Sequence, residues 1–287
     1  MADEAEFSPS FGQPGTTFVY RPKQLCTYFP AQDAPKLPVV LPDAPMYMLF
    51  AHRLWRAGML LADAIYTGAI EMDGKCVCEL GAGVGLPALT AALCASPTKV
   101  VVTDYDDDDV INALRCNVRR TLDANPTMHP SPISIYPHTW GNAMDDVLDL
   151  LPCSASDPSP RFDVLLLADC IWERFAHASL LKSITGLLAR RADARVYMVA
   201  GLHTGRAVLL QFLRRMLDAG FVLVSLPHLD RWPSLAGTPI AELPGAEHIM
   251  ELQVDVHPEG SLDSPGVVAH LRCCWRTRRQ YRSGITG

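Results

Sequence analysis

No stretch of this 287-residue chain is apolar for long. Its longest apolar runs, residues 164–168 and 196–202, are strand-length, against the roughly 20 residues that a bilayer span needs, so no membrane segment is expected. A signal peptide is not expected either, because the first residues, Met-Ala-Asp-Glu-Ala-Glu, are acidic where a leader is basic and then apolar. Basic residues are in deficit, 25 against 31 acidic ones, for a formal net charge of -6. That excludes the broad basic face of a general nucleic-acid binder, and the arginines within 272–282 read as a solvated strand end. Zinc-ligand spacing is missing too. The nine cysteines are odd in number and lie mostly in apolar stretches (Cys76, Cys78, Cys94, Cys170), which suits reduced core thiols better than a disulfide framework. Cys273 and Cys274 are adjacent on an expected strand and point to opposite faces, so no metal is expected. There is no internal repeat. What remains is 49% apolar and 20% charged, enough to fill one large α/β domain. The cytosol, or the cytosol and nucleus together, is the expected location.

Residues 1–45, rich in Pro, Gly, Ser and Thr, read as an N-terminal arm and 46–287 as the domain. Apolar residues from Met48 to Ala64 recur at helical spacing and predict one long or broken helix over 46–66. Strands and helices then alternate. Strands are expected at 75–80, 100–103, 133–136, 162–168, 195–202, 221–226 and 267–275. Helices are expected at 87–95, 107–122, 144–151, 177–190 and 206–219, the last ended by Gly220. This alternation predicts an α/β fold with a mostly parallel sheet, helices on both faces and an antiparallel strand at one edge. The long Pro-rich segment 227–266 between the last two strands is expected to form a lid or substrate lobe.

The strongest motif is Glu79-Leu80-Gly81-Ala82-Gly83-Val84-Gly85-Leu86-Pro87, placed between an expected buried strand and a helix. Glycines there let the backbone approach a ligand closely, at the sheet edge where open α/β folds bind ligands. The spacing is G-x-G-x-G, tighter than the dinucleotide fingerprint. The next strand ends in Thr103-Asp104-Tyr105, and an acid at that point accepts hydrogen bonds from both ribose hydroxyls. Coupled, the two motifs point to an adenosine-containing cofactor held by Gly81, Ala82, Gly83, Asp104 and Tyr105. Glu79 either anchors the loop through backbone N–H groups or touches the cofactor's ammonium group. The acid run at 106–109 is explained by capping and the helix dipole, not by a metal.

With these residues in place, four further landmarks resemble a known group. The order Leu54-Trp55, His138-Thr139-Trp140-Gly141, Ala168-Asp169-Cys170-Ile171-Trp172 and Ala200-Gly201-Leu202-His203-Thr204-Gly205-Arg206 is similar to that of the seven-strand, Rossmann-like methyltransferases. The likeness is to the lysine-methyltransferase-like family 16, in particular its fungal nicotinamide N-methyltransferase-like members, and it covers about residues 54–221. The resemblance implies S-adenosyl-L-methionine as cofactor, with Trp55 against it, Trp140 on the adenine, Ala168 at the cofactor, and Asp169 facing the substrate amine. Trp172 takes the place of the family's usual tyrosine or phenylalanine. Each landmark also has a plainer reading: Trp55 as core, Trp140 as a packed turn aromatic, Asp169 as a helix cap, His203 as a surface residue.

The resemblance therefore implies an S-adenosylmethionine-dependent N-methyltransferase, with Asp169 and Trp172 as the catalytic pair. Its acceptor is a protein lysine or N-terminal amine, or a small nitrogen compound of the nicotinamide type. Two other classes remain open: a methyltransferase of secondary metabolism acting on O, C or N, with His203 as general base, and a non-catalytic scaffold. Neither nucleic acid nor membrane is an expected partner.

Overall fold

The computed structural model describes residues 10–22, 35–42, 53–153, 160–191, 193–201 and 204–223, and three strand segments beyond them. The arm carries β1 (Ser10–Phe11), β2 (Thr17–Tyr20) and β3 (Leu37–Val40), and β4 (Leu54–Trp55) precedes the first helix. β1 pairs antiparallel with β4, and β2 with β3. Tyr20, Leu37, Val39 and Leu41 bury completely or nearly so in a cluster with Leu54, Val84 and Leu86. These arm residues therefore share their core with the glycine loop.

The first helix, α1 (Arg56–Tyr66), starts later than its periodicity predicts. Trp55 is extended (φ -81, ψ 144), not helical, because its backbone pairs with Ser10. Apolar spacing alone cannot distinguish a helix turn from a two-residue strand laid on the same core. The rest of the expected early helix, up to residue 52, lies outside the described residues.

From there the alternation holds: β5 (Cys76–Leu80), α2 (Leu86–Cys94), β6 (Lys99–Asp104), α3 (Asp108–Ala124), β7 (Ile133–Pro137), α4 (Met144–Leu148), β8 (Val164–Ala168), α5 (His177–Leu187), β9 (Arg195–Gly201) and α6 (Arg206–Asp218). Then come β10 (Phe221–Leu223), β11 (Gly237–Thr238), β12 (Leu252–Asp255) and β13 (Val268–Thr277). The order β7-β6-β5-β8-β9 is parallel throughout. β13 closes onto β9 antiparallel, and β10 onto β13. The described sheet has nine strands instead of seven, because β11 and β12 extend it from within the expected lid. The rest of 227–266 lies outside the described residues.

Period-two alternation decides which face each residue serves. On β8, Leu165 and Leu167 join a core with Leu180 and Ile184 of α5 and Phe212 of α6. Val164 and Leu166 join another with Ala57 and Leu61 of α1, Ala88 of α2 and Ile111 of α3. Helices thus cover both faces, and every strand residue of β8 except the last is buried. The chain runs outward from β5 to β6 and β7, then returns to β8 on β5's other side. That reversal opens a crevice at the carboxyl rim between β5 and β8, where ligands settle in such sheets. Among the described residues no helix is long and apolar enough to cross a membrane, and the six cysteines there are free thiols.

Candidate functional site

β5 delivers the glycine loop to this rim. Gly81, Gly83 and Gly85 have φ of +64, +54 and +78, in the left-handed region that glycine enters without strain. A Cβ on Gly81 would stand 2.9 Å from the Trp140 ring and 3.0 Å from Cys170 Sγ. The bare backbone is thus what lets the tryptophan come so close. Ala82 N–H donates to the Thr103 carbonyl at 3.0 Å, and Gly83 N–H donates to Asp104 Oδ2 at 2.5 Å. The loop is bolted to the end of β6.

Asp104 also accepts the Tyr105 N–H on Oδ1 at 2.6 Å. Burial raises its carboxyl above the usual range, while the Gly83 and Tyr105 N–H bonds pull it back. A carboxylate has about four acceptor directions, so capacity for two ribose hydroxyls remains after these bonds. Asp107 caps α3, its Oδ1 accepting from Asp109 N and Val110 N, as expected for the acid run. No group of three or more candidate metal ligands occurs among the described residues.

A cavity of about 410 Å³ opens at this rim. Its wall includes Gly81, Gly83, Asp104, Tyr105 and Trp140 from the ends of β5, β6 and β7, and Trp55, Ala168, Asp169 and Trp172. Nine of the eleven residues expected from the sequence therefore meet around one space. The other two, Glu79 and Ala82, are not among the residues that line it. Ala82 is 8% exposed and turned into the core beneath the loop. Glu79 is 1% exposed, and its Oε2 accepts the Ala88 N–H at 2.9 Å. It anchors the first turn of α2 from below. Burial is the main force on its carboxyl, which is pushed up to about 8 despite the Ala88 bond, with the Asp104 charge adding to the rise.

Asp169 follows β8 with φ +59, one of two described non-glycine residues in the left-handed region. Aspartate tolerates that geometry better than most residues, yet it still costs energy. Two bonds hold it there: its N–H donates to the Val199 carbonyl at 2.8 Å, and its Oδ1 accepts the Gly201 N–H at 2.9 Å. The carboxylate is thereby fixed to the end of β9, and the residue, 7% exposed, lines the cavity. It does not cap α5; Glu173 caps the turn that precedes that helix.

The wall also holds residues that sequence reasoning did not select, notably His138, Thr139, Cys170 and Glu173. Their signal was adjacency: each lies within two residues of a chosen position. His138 is 2% exposed and kept neutral by burial; its Nε2 bonds Ser183 Oγ at 2.9 Å, while Nδ1 is buried without a partner. Ser183 Oγ also accepts the Gly141 N–H at 2.7 Å, fixing the turn that presents Trp140. Cys170 stays a thiol, raised by burial, and donates to the Leu80 carbonyl at 3.0 Å. His203 and the side chain of Arg206 lie outside the described residues.

The site suits a nucleoside with a charged tail: a glycine cradle, a carboxylate with spare acceptor capacity and an indole. The lysine methyltransferase family model matches residues 47–217. The chain is 32% identical over 147 residues to the protein N-terminal and lysine N-methyltransferase of Emericella nidulans, covering 51% of this chain and 56% of that protein. To the enzyme of the same description from Yarrowia lipolytica it is 31% identical over 202 residues, covering 64% and 70%. The chain spans about half the length of several relatives it matches. It is also similar to the crystal structure of precorrin-6y C5,15-methyltransferase from Geobacter metallireducens, at 10% identity and a TM-score of 0.44, covering 75% of this chain and 86% of that one. With more than half its length matched, and with strand order and glycine loop as described, the chain belongs to the lysine methyltransferase family.

Proposed function

We propose that this protein is an S-adenosylmethionine-dependent N-methyltransferase whose acceptor is a protein amine, either a lysine side chain or an N-terminal α-amine, in the cytosol or nucleus. One observation carries the reading: a single cavity is lined by the glycine loop, Asp104, Asp169 and Trp172 together. The printed descriptions of the Emericella and Yarrowia relatives supply the acceptor class.

When bound, the cofactor supplies a methyl group made electrophilic by its sulfonium. Asp104 holds the ribose, Gly81 and Gly83 admit the amino-acid tail, and Trp140 offers its face to adenine. The acceptor ammonium first gives its proton to bulk water, so that the amine binds with its lone pair free. The Asp169 carboxylate accepts a hydrogen bond from the amine, aims the lone pair and offsets the positive charge that builds on nitrogen. Trp172 and Trp55 exclude water and attract the cation formed.

The test uses methyl-labelled cofactor with two substrate pools, a cell extract desalted to protein and its small-molecule filtrate. Acid-stable label on lysine or on a protein N-terminus is expected. Label confined to the filtrate would replace the protein acceptor with a metabolite. No label in either pool, together with no thermal shift by S-adenosylhomocysteine, would leave only a scaffold.

A further inference from the structure

We infer that the N-terminal arm is part of the cofactor site, and that Asn117 is the positioning residue through which it acts on the glycine loop. The inference rests on the loop being the cofactor cradle, as proposed above.

Asn117 lies within α3 and is 0% exposed. Its Nδ2 donates to the Val84 carbonyl at 3.0 Å, inside the glycine loop, and to the Val40 carbonyl at 3.1 Å. Its Oδ1 accepts the Val40 N–H at 2.6 Å. Both amide hydrogens are thus spent, one on the loop and one on the arm. The amide cannot rotate to relieve either partner without orphaning the other in a dry interior.

A second asparagine, Asn125, the residue that ends α3, shows which part of this is special. Asn125 grips Lys36 in the same two-way fashion, accepting its N–H at 3.1 Å and donating to its carbonyl at 2.7 Å. The two asparagines are separated by about 12 Å of helix rise, and Lys36 and Val40 by about 13 Å of extended chain. β3 therefore lies along α3 and is clamped at both ends. Only the Asn117 clamp also touches the loop.

The loop needs such a hold. Three of its five residues have positive φ, so local sterics do not define its shape. Its inner side is tied to β6 through Ala82 and Gly83. Its outer side is held by the Asn117–Val84 bond and by the Val84 side chain, 3% exposed among Tyr20, Leu37 and Val39. The arm strands lie before residue 47, where the family match begins, so this half of the clamp lies outside the matched region. Because arm docking and loop shape share one amide, cofactor binding and arm docking must reinforce each other.

The test compares Asn117→Ala with Asn125→Ala. S-adenosylhomocysteine Kd is measured calorimetrically at a temperature where circular dichroism shows both variants folded. Asn117→Ala is expected to raise Kd about tenfold, the loss of one to two buried hydrogen bonds, while Asn125→Ala stays within twofold. Hydrogen exchange on the unmodified chain adds a readout that does not depend on a variant folding: Val40 N–H should exchange at least threefold more slowly with the ligand bound. Equal Kd for both variants, or a Val40 rate indifferent to ligand, overturns the inference. If the unmodified chain binds no ligand, the cofactor reading falls and takes this one with it.

Discussion

The strands on either side of β5 both lead into an aspartate at the cavity, and the two are held differently. Asp104 is the last residue of β6, in ordinary extended geometry, and its two oxygens collect N–H groups from the glycine loop and from its own successor. Asp169 lies one residue past β8 in the left-handed region, pinned by the neighbouring strand through Val199 and Gly201. The first side is built by regular structure and depends on a loop that only glycine can form. The second is a strained turn held by cross-strand bonds. A rigid, unstrained carboxylate suits a partner bound the same way in every turnover. A carboxylate held against strain suits chemistry, because strain of this kind is retained where the surrounding structure over-determines it.

The comparison breaks most visibly at Asp104. Asp104→Ala removes the ribose acceptor and frees the Gly83 N–H, so cofactor affinity should drop roughly 10- to 150-fold, at about 1.5–3 kcal/mol for charge-assisted bonds. The fold should survive, since the sheet register does not pass through that side chain. Calorimetric titration with S-adenosylhomocysteine measures it, and unchanged affinity would remove the ribose role. Asp169→Asn sharpens the other half. The amide can keep the Gly201 bond but carries no charge, so turnover should fall on the order of tenfold or more while cofactor Kd moves less than threefold. Equal losses in both would make Asp169 another cofactor residue and erase the distinction.

The two sides were also unequally legible in the sequence. Gly81, Gly83 and Asp104 follow from strand, turn and helix signals alone, because a buried apolar run, glycines at fixed offsets and an acid at the next strand end each have a local physical cause. Asp169 does not announce itself that way; without the family resemblance it reads as a helix cap, and its bond to Gly201 joins residues 32 apart. Trp55 lines the cavity from a two-residue strand where its spacing predicts a helix, since its partner Ser10 belongs to a segment with no periodicity to flag it. The arm's contribution through Asn117 was illegible for the same reason. A polar residue on a helix looks like a solvated face until the chain 77 residues earlier returns to bond it.

Glu79, beneath both sides, gives the smallest of these effects and the one with a defined sign. Its carboxyl is raised in the folded chain to about 8 by burial, against 4.5 for the ordinary group. Below about pH 4.5 both folded and unfolded chains carry the proton and its stabilising contribution is complete. As the pH climbs toward 8, the folded chain holds a proton that the unfolded chain has released, so this contribution drains away with rising pH. Glu79→Gln keeps an oxygen for the Ala88 N–H and cannot ionise. Its melting temperature should therefore gain on the parent between pH 5 and pH 8, by about 2–4 °C for each kcal/mol of penalty removed. Melting curves of both proteins across that range measure the gap. Parallel curves would mean that Glu79 is ionised in the folded chain, and a buried negative charge would then lie beneath the glycine loop near Asp104. That charge would attract the sulfonium from beneath the loop and undo the division of labour between the two aspartates.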